Sequence, residues 1–235
     1  MWKKIRLYIS PLFLQRFLLS RKLTELIRQY HFSGQVLDVG CGNKPYRQLF
    51  KHSSKYLGID FPNYSLNKDS SFSPPDYFFT SEYSQNYRLP FAANQFAHTV
   101  SFQVLEHHPQ PQKLLSEMAR ITKKGGYILL TFPFIGGLHE EPHDYQRLTH
   151  YQIQRWAKDN HLKITAVHRL GSLAGVISVL LNEQLGYFAS RGKWQYVLSV
   201  PVHFFLLAGQ YLVLLADLLW RSKTIFINYA IVLQK

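Results

Sequence analysis

The sequence predicts an α/β fold with a Rossmann-like, mostly parallel sheet of seven strands, and three observations carry that expectation. Short apolar runs recur near residues 35–40, 55–60, 77–80, 98–102 and 127–133, as strands buried on both faces do. Helical patterns near 45–52 and 110–123 fill the clearer crossovers, so helices cover both faces of the sheet. Finally, Val36-Leu37-Asp38-Val39-Gly40-Cys41-Gly42 runs a strand into a glycine turn. Tyr56-Leu57-Gly58-Ile59-Asp60 then ends a second strand on a carboxylate, about 20 residues downstream, the arrangement of a nucleotide-type cofactor site.

Taken in chain order, Ser10-Pro11 reads as a helix start, serine capping and proline in the first turn. Leu12, Phe13, Leu14, Phe17, Leu18, Leu19, Leu23, Leu26 and Ile27 give this helix a broad apolar face, and Arg16, Arg21, Lys22 and Arg28 make it basic. Residues 1–32 are therefore either a helix packed on the main domain or an amphipathic helix resting on membrane, the first being favoured. Residues 61–76 are rich in Ser, Pro and Asn and read as a loop, which makes the strand at 77–80 the weakest. Gly125-Gly126 closes the helix at 110–123 before the fifth strand. Thr149 caps a helix running to about residue 159, Leu162–Val167 forms a strand, and Thr224–Leu233 forms the last one.

Gly40 and Gly42 allow positive φ and the close approach of a ligand. A dinucleotide fingerprint requires a third glycine at position 45, where the chain has Pro45. That argues against NAD or FAD. Asp38, beside the turn, suits a cationic ammonium and repels a phosphate. Together these features fit S-adenosyl-L-methionine.

Asp38–Arg47, Gly58-Ile59-Asp60, Leu89-Pro90-Phe91, Gln103-Val104-Leu105-Glu106-His107 and Lys124–Thr131 resemble successive motifs of class I S-adenosylmethionine-dependent methyltransferases, of the methyltransferase type 11 kind, over roughly residues 33–168. His139-Glu140-Glu141-Pro142-His143-Asp144-Tyr145-Gln146-Arg147 resembles a segment of a poorly characterised subgroup. The resemblance implies that Asp60 accepts hydrogen bonds from the ribose, that Asp38 with the turn Gly40-Cys41-Gly42 holds the methionyl part, and that Phe102 and Gln103 line the pocket. It implies an acid near the adenine amine, for which Glu82 is the nearest candidate, and an antiparallel pair formed by the two final strands at one sheet edge. Each carboxylate also has a plainer reading: Asp60 as cap of the loop before Phe61-Pro62, Asp38 as a turn former. The acidic residues usual near positions 93 and 97 are alanines here.

The loop after the fifth strand lies where open α/β sheets bind ligands. Within it His139 or His143 is a candidate base, Tyr145 a candidate contact for sulfonium or acceptor, and Arg147 a candidate anchor for a carboxylate or phosphate. Arg147 pairing with Glu140 or Glu141 is equally open. No metal site is expected: the His139–His143 pair lacks a helical zinc-protease pattern and encloses Pro142. His107 belongs to the family pattern, with a structural role open.

Twenty-seven Lys and Arg against 14 Asp and Glu give a formal charge of +13, which favours a polyanion or an anionic membrane surface as partner. Nucleic acid ranks last, for want of a basic cluster interleaved with aromatics beyond the N-terminal helix. Cys41 is the single cysteine, so no disulfide framework or cysteine metal cluster exists. The N-terminal apolar runs are broken by Ser10, Pro11, Gln15 and Arg16, unlike a cleaved signal, and an intracellular location is expected. Residues 33–169 with 224–235 form the expected catalytic domain, and 170–223 an apolar helical insert. From Gln195 to Ala216 the insert carries no charge, long enough to cross a bilayer. A single crossing would part the last strand from its sheet, and Pro201, His203, Gly209 and Gln210 weaken it further. The favoured reading is a helix dipping into one leaflet on the inner face of a membrane, against a buried cap or dimer contact. The acceptor is then a lipid, a lipid-linked glycan or an amphiphilic metabolite. The alternatives are a soluble small-molecule acceptor and a scaffold without catalysis.

Overall fold

In a computed structural model, residues 13–61, 73–79, 87–219 and 224–235 are described. The Ser10-Pro11 helix start, Glu82 and most of the 61–76 loop lie outside them.

Seven strands form one sheet: β1 (Gln35–Val39), β2 (Lys55–Asp60), β3 (Tyr77–Phe78), β4 (His98–Phe102), β5 (Tyr127–Pro133), β6 (Lys163–Leu170) and β7 (Asn228–Gln234), in the spatial order β3-β2-β1-β4-β5-β7-β6. The first five pair in parallel, with Asp38 lying between Gly58 and Val100. β7 runs antiparallel to both neighbours. Its ends meet opposite ends of β5, with Lys235 bonded to Gly126 and Ile227 to Phe134. On its other side Ile227 meets Leu170, while Val232 accepts from the Thr165 hydroxyl. Beyond their first residues, Gln35 and Tyr127, β1 and β5 are buried, as is all of β4, and Leu37, Val100, Leu129 and Leu130 sit at their centre because both faces are covered.

Five helices are described: α1 (Phe13–Gln29), α2 (Pro111–Ile121), α3 (His150–Asp159), α4 (Leu173–Ser190) and α5 (Lys193–Leu219). The apolar face of α1 is buried at Phe13, Leu14, Leu19, Leu23, Leu26 and Ile27. Pro111 sits in the first turn of α2, and the Thr149 hydroxyl accepts from the Gln152 amide to cap α3.

Three boundaries depart from the sequence reading. The helix expected at 45–52 is only a 3₁₀ turn, Arg47–Phe50. Lys44 is held at φ +54°, and Phe50 anchors the short crossover by stacking on Tyr56, leaving little chain for a full helix. β3 is two residues long instead of four, with both side chains exposed. β7 begins at Asn228, four residues later than expected, since Phe226 is taken up in a stack with Phe134.

The chain divides into two compact units. Among the described residues, one comprises those within Lys22–Pro133, His139–His168 and Tyr229–Lys235; the other gathers those from Phe13 to Arg21 and within Phe134–Leu138 and Arg169–Asn228. In the second unit α4 and α5 are joined by Arg191-Gly192 and pack together as a helical hairpin. A small core forms there from Leu14, Val176, Val179 and Ile227, and Gln210 accepts a hydrogen bond from the Leu14 amide. The rest of the hairpin is different in character. On α5, Trp194, Leu198, Phe204, Phe205 and Leu212 are exposed, and Lys193–Leu215 is apolar and long enough to cross a membrane by length and composition.

Candidate active site

Reversal of strand order around β1 and β4 opens a crevice at the carboxyl ends of the parallel strands. An open pocket lies there, lined by Gly40 and Gly42 after β1, Asp60 and Phe61 after β2, Gln103, Val104, His107 and His108 after β4, and Glu140 from the loop after β5.

The two glycines do different work. Gly40 has φ +75°, and an added Cβ would lie 2.4 Å from a Val104 methyl, so the turn packs against the β4 loop only without a side chain. Gly42, at φ +49°, has no atom within 4 Å of an added Cβ. Its backbone borders open space, where a ligand can lie against the chain.

Asp60 is buried, and its two oxygens accept from the amides of Gly42 and Phe61, the latter at 2.7 Å. It therefore fixes the glycine turn and also caps its own loop. A carboxylate has about four acceptor positions, so lone pairs remain for ribose hydroxyls. Burial raises its pKa, against the two amides that lower it. Asp38 lies behind the turn and does not line the cavity. Its Oδ2 accepts from the Tyr56 hydroxyl, and its buried Oδ1 has no partner. Burial pushes this carboxyl up to about 7, against the Tyr56 hydrogen bond. An orphaned carboxylate oxygen beside a side-chain-free turn fits a ligand that brings a cation. The residues present thus suit S-adenosylmethionine.

Other expected cofactor residues are placed more indirectly. Cys41 is buried against Gly58, whose missing side chain leaves room for the sulfur, and burial raises its thiol pKa. Phe102 is buried between Tyr46 and Phe50. Both shape the turn and neither side chain lines the cavity. Gln103 does line it, at φ +56°, held by Thr131 through its amide and its side chain.

None of His139, His143, Tyr145 and Arg147 lines the cavity. Arg147 grips Asp144 with both guanidinium nitrogens, at 2.5 and 2.8 Å, instead of Glu140 or Glu141. The intervening spacing explains the choice: Asp144 and Arg147 are three residues apart, while Glu140 turns toward the cavity at φ +55°. Asp144 also accepts from the His139 amide, so this pair sets the loop. The exposed His143 ring faces the Tyr145 hydroxyl at 3.1 Å, and its carbonyl is 3.0 Å from His107 Nδ1. The His139 ring packs edge-on against His107, with centroids 4.7 Å apart.

Sequence reasoning did not single out Val104, His108, Glu106 or Glu140 as site residues. Glu106 is the most informative of them. It is buried in the 3₁₀ turn Leu105–His107, neither carboxylate oxygen has a hydrogen-bond partner, and burial pushes its pKa up to about 8. The signal for it was present in the motif Gln103–His107, which places an acid directly after β4 at the carboxyl edge.

Residues 37–130 match the family described as a methyltransferase domain. Among curated relatives, malonyl-[acyl-carrier protein] O-methyltransferase of Buchnera aphidicola is 27% identical over 143 residues, 59% of this chain and 56% of that protein. Ubiquinone biosynthesis O-methyltransferase of Coxiella burnetii is 24% identical over 155 residues, 57% of this chain and 66% of that one. The chain thus spans about half to two thirds of the length of these relatives. Among solved structures, Haemonchus contortus phosphoethanolamine N-methyltransferase 2, in complex with S-adenosyl-L-methionine, superposes with a TM-score of 0.53 at 17% identity, covering 96% of this chain and 57% of that one. That likeness shows the fold.

Proposed function

We propose, on the match of residues 37–130 to a methyltransferase domain, that the chain is a class I S-adenosylmethionine-dependent methyltransferase and that it methylates an amphiphilic acceptor at a membrane surface: a lipid, a lipid-linked glycan or an amphiphilic metabolite. The observation that carries the acceptor class is the exposed apolar face of α5. Trp194, Leu198, Phe204, Phe205 and Leu212 are each at least 65% exposed, in a helix otherwise typical of a protein or bilayer interior. Arg191 and Lys193 precede it and the chain carries +13 overall, which suits anionic headgroups. The two curated relatives are both named O-methyltransferases but belong to different chemistry, malonyl-[acyl-carrier protein] and ubiquinone biosynthesis, so they support the reaction type and leave the acceptor to this chain's own features.

Bound S-adenosylmethionine supplies an electrophilic methyl group on a sulfonium. The chain's part is positioning and exclusion of water, which supply much of the acceleration in an in-line displacement. Asp60 offers its remaining lone pairs to the ribose, Asp38 provides negative charge behind the turn, and Gly42 leaves backbone bare for contact. Glu140 and His107 border the cavity and are placed to take a proton where the acceptor must lose one.

The test incubates the full chain with anionic vesicles, membrane lipid extract and methyl-labelled cofactor, with Asp60→Ala alongside. Label should enter the lipid fraction with wild type only, and calorimetry should show weaker cofactor binding by the variant. Cofactor binding with label confined to water-soluble acceptors would replace the lipid reading with a soluble substrate. Cofactor binding without any transfer would point to a scaffold.

A further inference from the structure

Beside the cofactor cavity, His107, already a candidate proton acceptor there, converges with two further side chains whose roles the proposed methyl transfer leaves open. Glu106 and His107 come from the turn after β4, His139 from the loop after β5. One ligand-capable atom of each lies within 4.8 Å of the other two. Three donor atoms bound to a common ion at about 2.0–2.2 Å stand about 3.0–3.6 Å apart, so side-chain rotations that move the donors by about an ångström would close the set.

The surroundings favour a cation over a purely structural cluster. Glu106 is 1% exposed and neither of its oxygens has a hydrogen-bond donor. A buried carboxylate without donors requires a counter-ion or a proton. His107 has its Nδ1 3.0 Å from the carbonyl oxygen of His143. A carbonyl only accepts, so Nδ1 carries the hydrogen, and Nε2 keeps a free lone pair. Metal-binding histidines are commonly oriented in this way, by a carbonyl on the opposite ring nitrogen. That Nε2 is 3.9 Å from Glu106 Oε1 and 3.9 Å from Glu140 Oε2, so carboxylates flank it on two sides. His139 is held by Asp144, which takes its amide at 3.1 Å and stands 3.5 Å from its Nδ1. Asp144 is itself fixed by Arg147.

We propose that Glu106, His107 and His139 bind a divalent transition-metal ion at the rim of the cofactor cavity, with Glu140 available as a fourth ligand. Two imidazoles and a carboxylate suit manganese, iron, cobalt, nickel or zinc better than magnesium or calcium, which prefer oxygen alone. The sequence led to the expectation of no metal site, because the spacing it offered was His139 with His143. His139 joins Glu106 and His107 across the fold, and His143 contributes only its carbonyl. Resting on the methyltransferase reading, the ion has a chemical use: an acceptor hydroxyl bound to it would lose its proton to solvent more readily. The oxygen lone pair would then form the C–O bond as the C–S bond breaks and its electron pair stays on sulfur. Arg147, through Asp144, is a positioning residue for His139.

Cobalt(II) titration of the full chain, stripped of metal with chelator, reads the site without any methyl transfer. Wild type should show saturable visible absorption at one ion per chain. Glu106→Gln and His139→Ala should weaken binding by more than the ~10–100-fold that loss of an outer partner costs. His143→Ala, which keeps the carbonyl, should bind within about two-fold of wild type. Circular dichroism checks that each variant folds, and His139→Ala alters a side chain that is already 43% exposed, so it guards against misfolding of Glu106→Gln. Absence of saturation by the folded wild type, or unweakened binding by folded Glu106→Gln or His139→Ala, overturns the proposal. Calorimetry with S-adenosylmethionine on the same samples separates that failure from failure of the cofactor reading.

Discussion

Leu129 in β5 and Leu212 in α5 are the same side chain in two opposite settings. The first is 0% exposed within a parallel sheet covered on both sides, and the second is 69% exposed on a long apolar helix. Around Leu129 the protein itself supplies the apolar environment. Around much of the α4–α5 hairpin it does not, although α5 is at least as apolar in composition. Hydrophobic sequence therefore has two uses in this molecule, and only one of them is to hold the fold together.

Truncating both residues separates those uses most sharply. Leu129→Ala should cost about 2–5 kcal/mol of unfolding free energy in a denaturant titration. Leu212→Ala should change it by no more than about 0.5 kcal/mol. Equal losses would mean that the hairpin face is covered in solution, as in a dimer, and would break the contrast.

A second experiment asks what covers the exposed face. Each phenylalanine transferred from water to an apolar phase is worth about 1.5–3 kcal/mol. Replacing Phe204 and Phe205 together by Glu should therefore lower partitioning to anionic vesicles ~100-fold or more in flotation, while moving the thermal midpoint by about 2 °C or less. Unchanged partitioning would remove α5 from the membrane argument.

Within the cofactor region, Asp38 provides a smaller effect with a definite sign. Its carboxyl is pushed up to about 7 from an unfolded value near 3.8. The folded chain thus binds a proton more tightly between those values, and this group's contribution to stability is full below about pH 4 and lost as pH rises through 7. A cationic ligand reverses the preference by favouring the carboxylate. Cofactor affinity should therefore be ~5-fold weaker at pH 6 than at pH 7, strengthen by about two-fold more to pH 8, level off above, and lose this dependence in Asp38→Asn. Calorimetry across that range checks it, and an equal slope in the variant would move the effect to another group. The smallest change is expected at the surface of α1, where Glu25 is 2.7 Å from Lys22 with its side chain 52% exposed. Glu25→Ala should shift stability by at most about 0.5 kcal/mol in the same titration as the leucines.

How far the sequence revealed each region follows from the range of the forces involved. β1, β2, β4 and β5 were visible because a strand buried on both faces must be apolar over its whole length. Gly40, Gly42 and Asp60 were visible because a turn with bare backbone and a carboxylate after the next strand are local requirements. The 3₁₀ turn at Arg47–Phe50 was not, since the anchoring of Phe50 on Tyr56 is a tertiary contact that overrides helical pattern. Nor was the start of β7, which depends on Phe226 finding Phe134 across some 90 residues. In the same way Arg147 chose Asp144, and His139 met Glu106 and His107, through loop geometry that no spacing rule records. The exposure of α5 was also hidden, because composition states what a segment can be buried in and not whether the protein provides it.

Asp60 has one further consequence. Because the amides of Gly42 and Phe61 already fasten its carboxylate, the receptor we propose for the ribose is assembled before any ligand arrives. Such a receptor loses little conformational entropy on association, so observed binding rates should rise linearly with ligand concentration instead of reaching a plateau set by loop rearrangement. Rigidity also removes the chance to adapt. A nucleoside lacking one ribose hydroxyl would leave a fixed acceptor position empty, and the turn could not close around the gap. The aspartate that shapes the glycine turn thereby makes the cavity selective by stiffness as well as by chemistry.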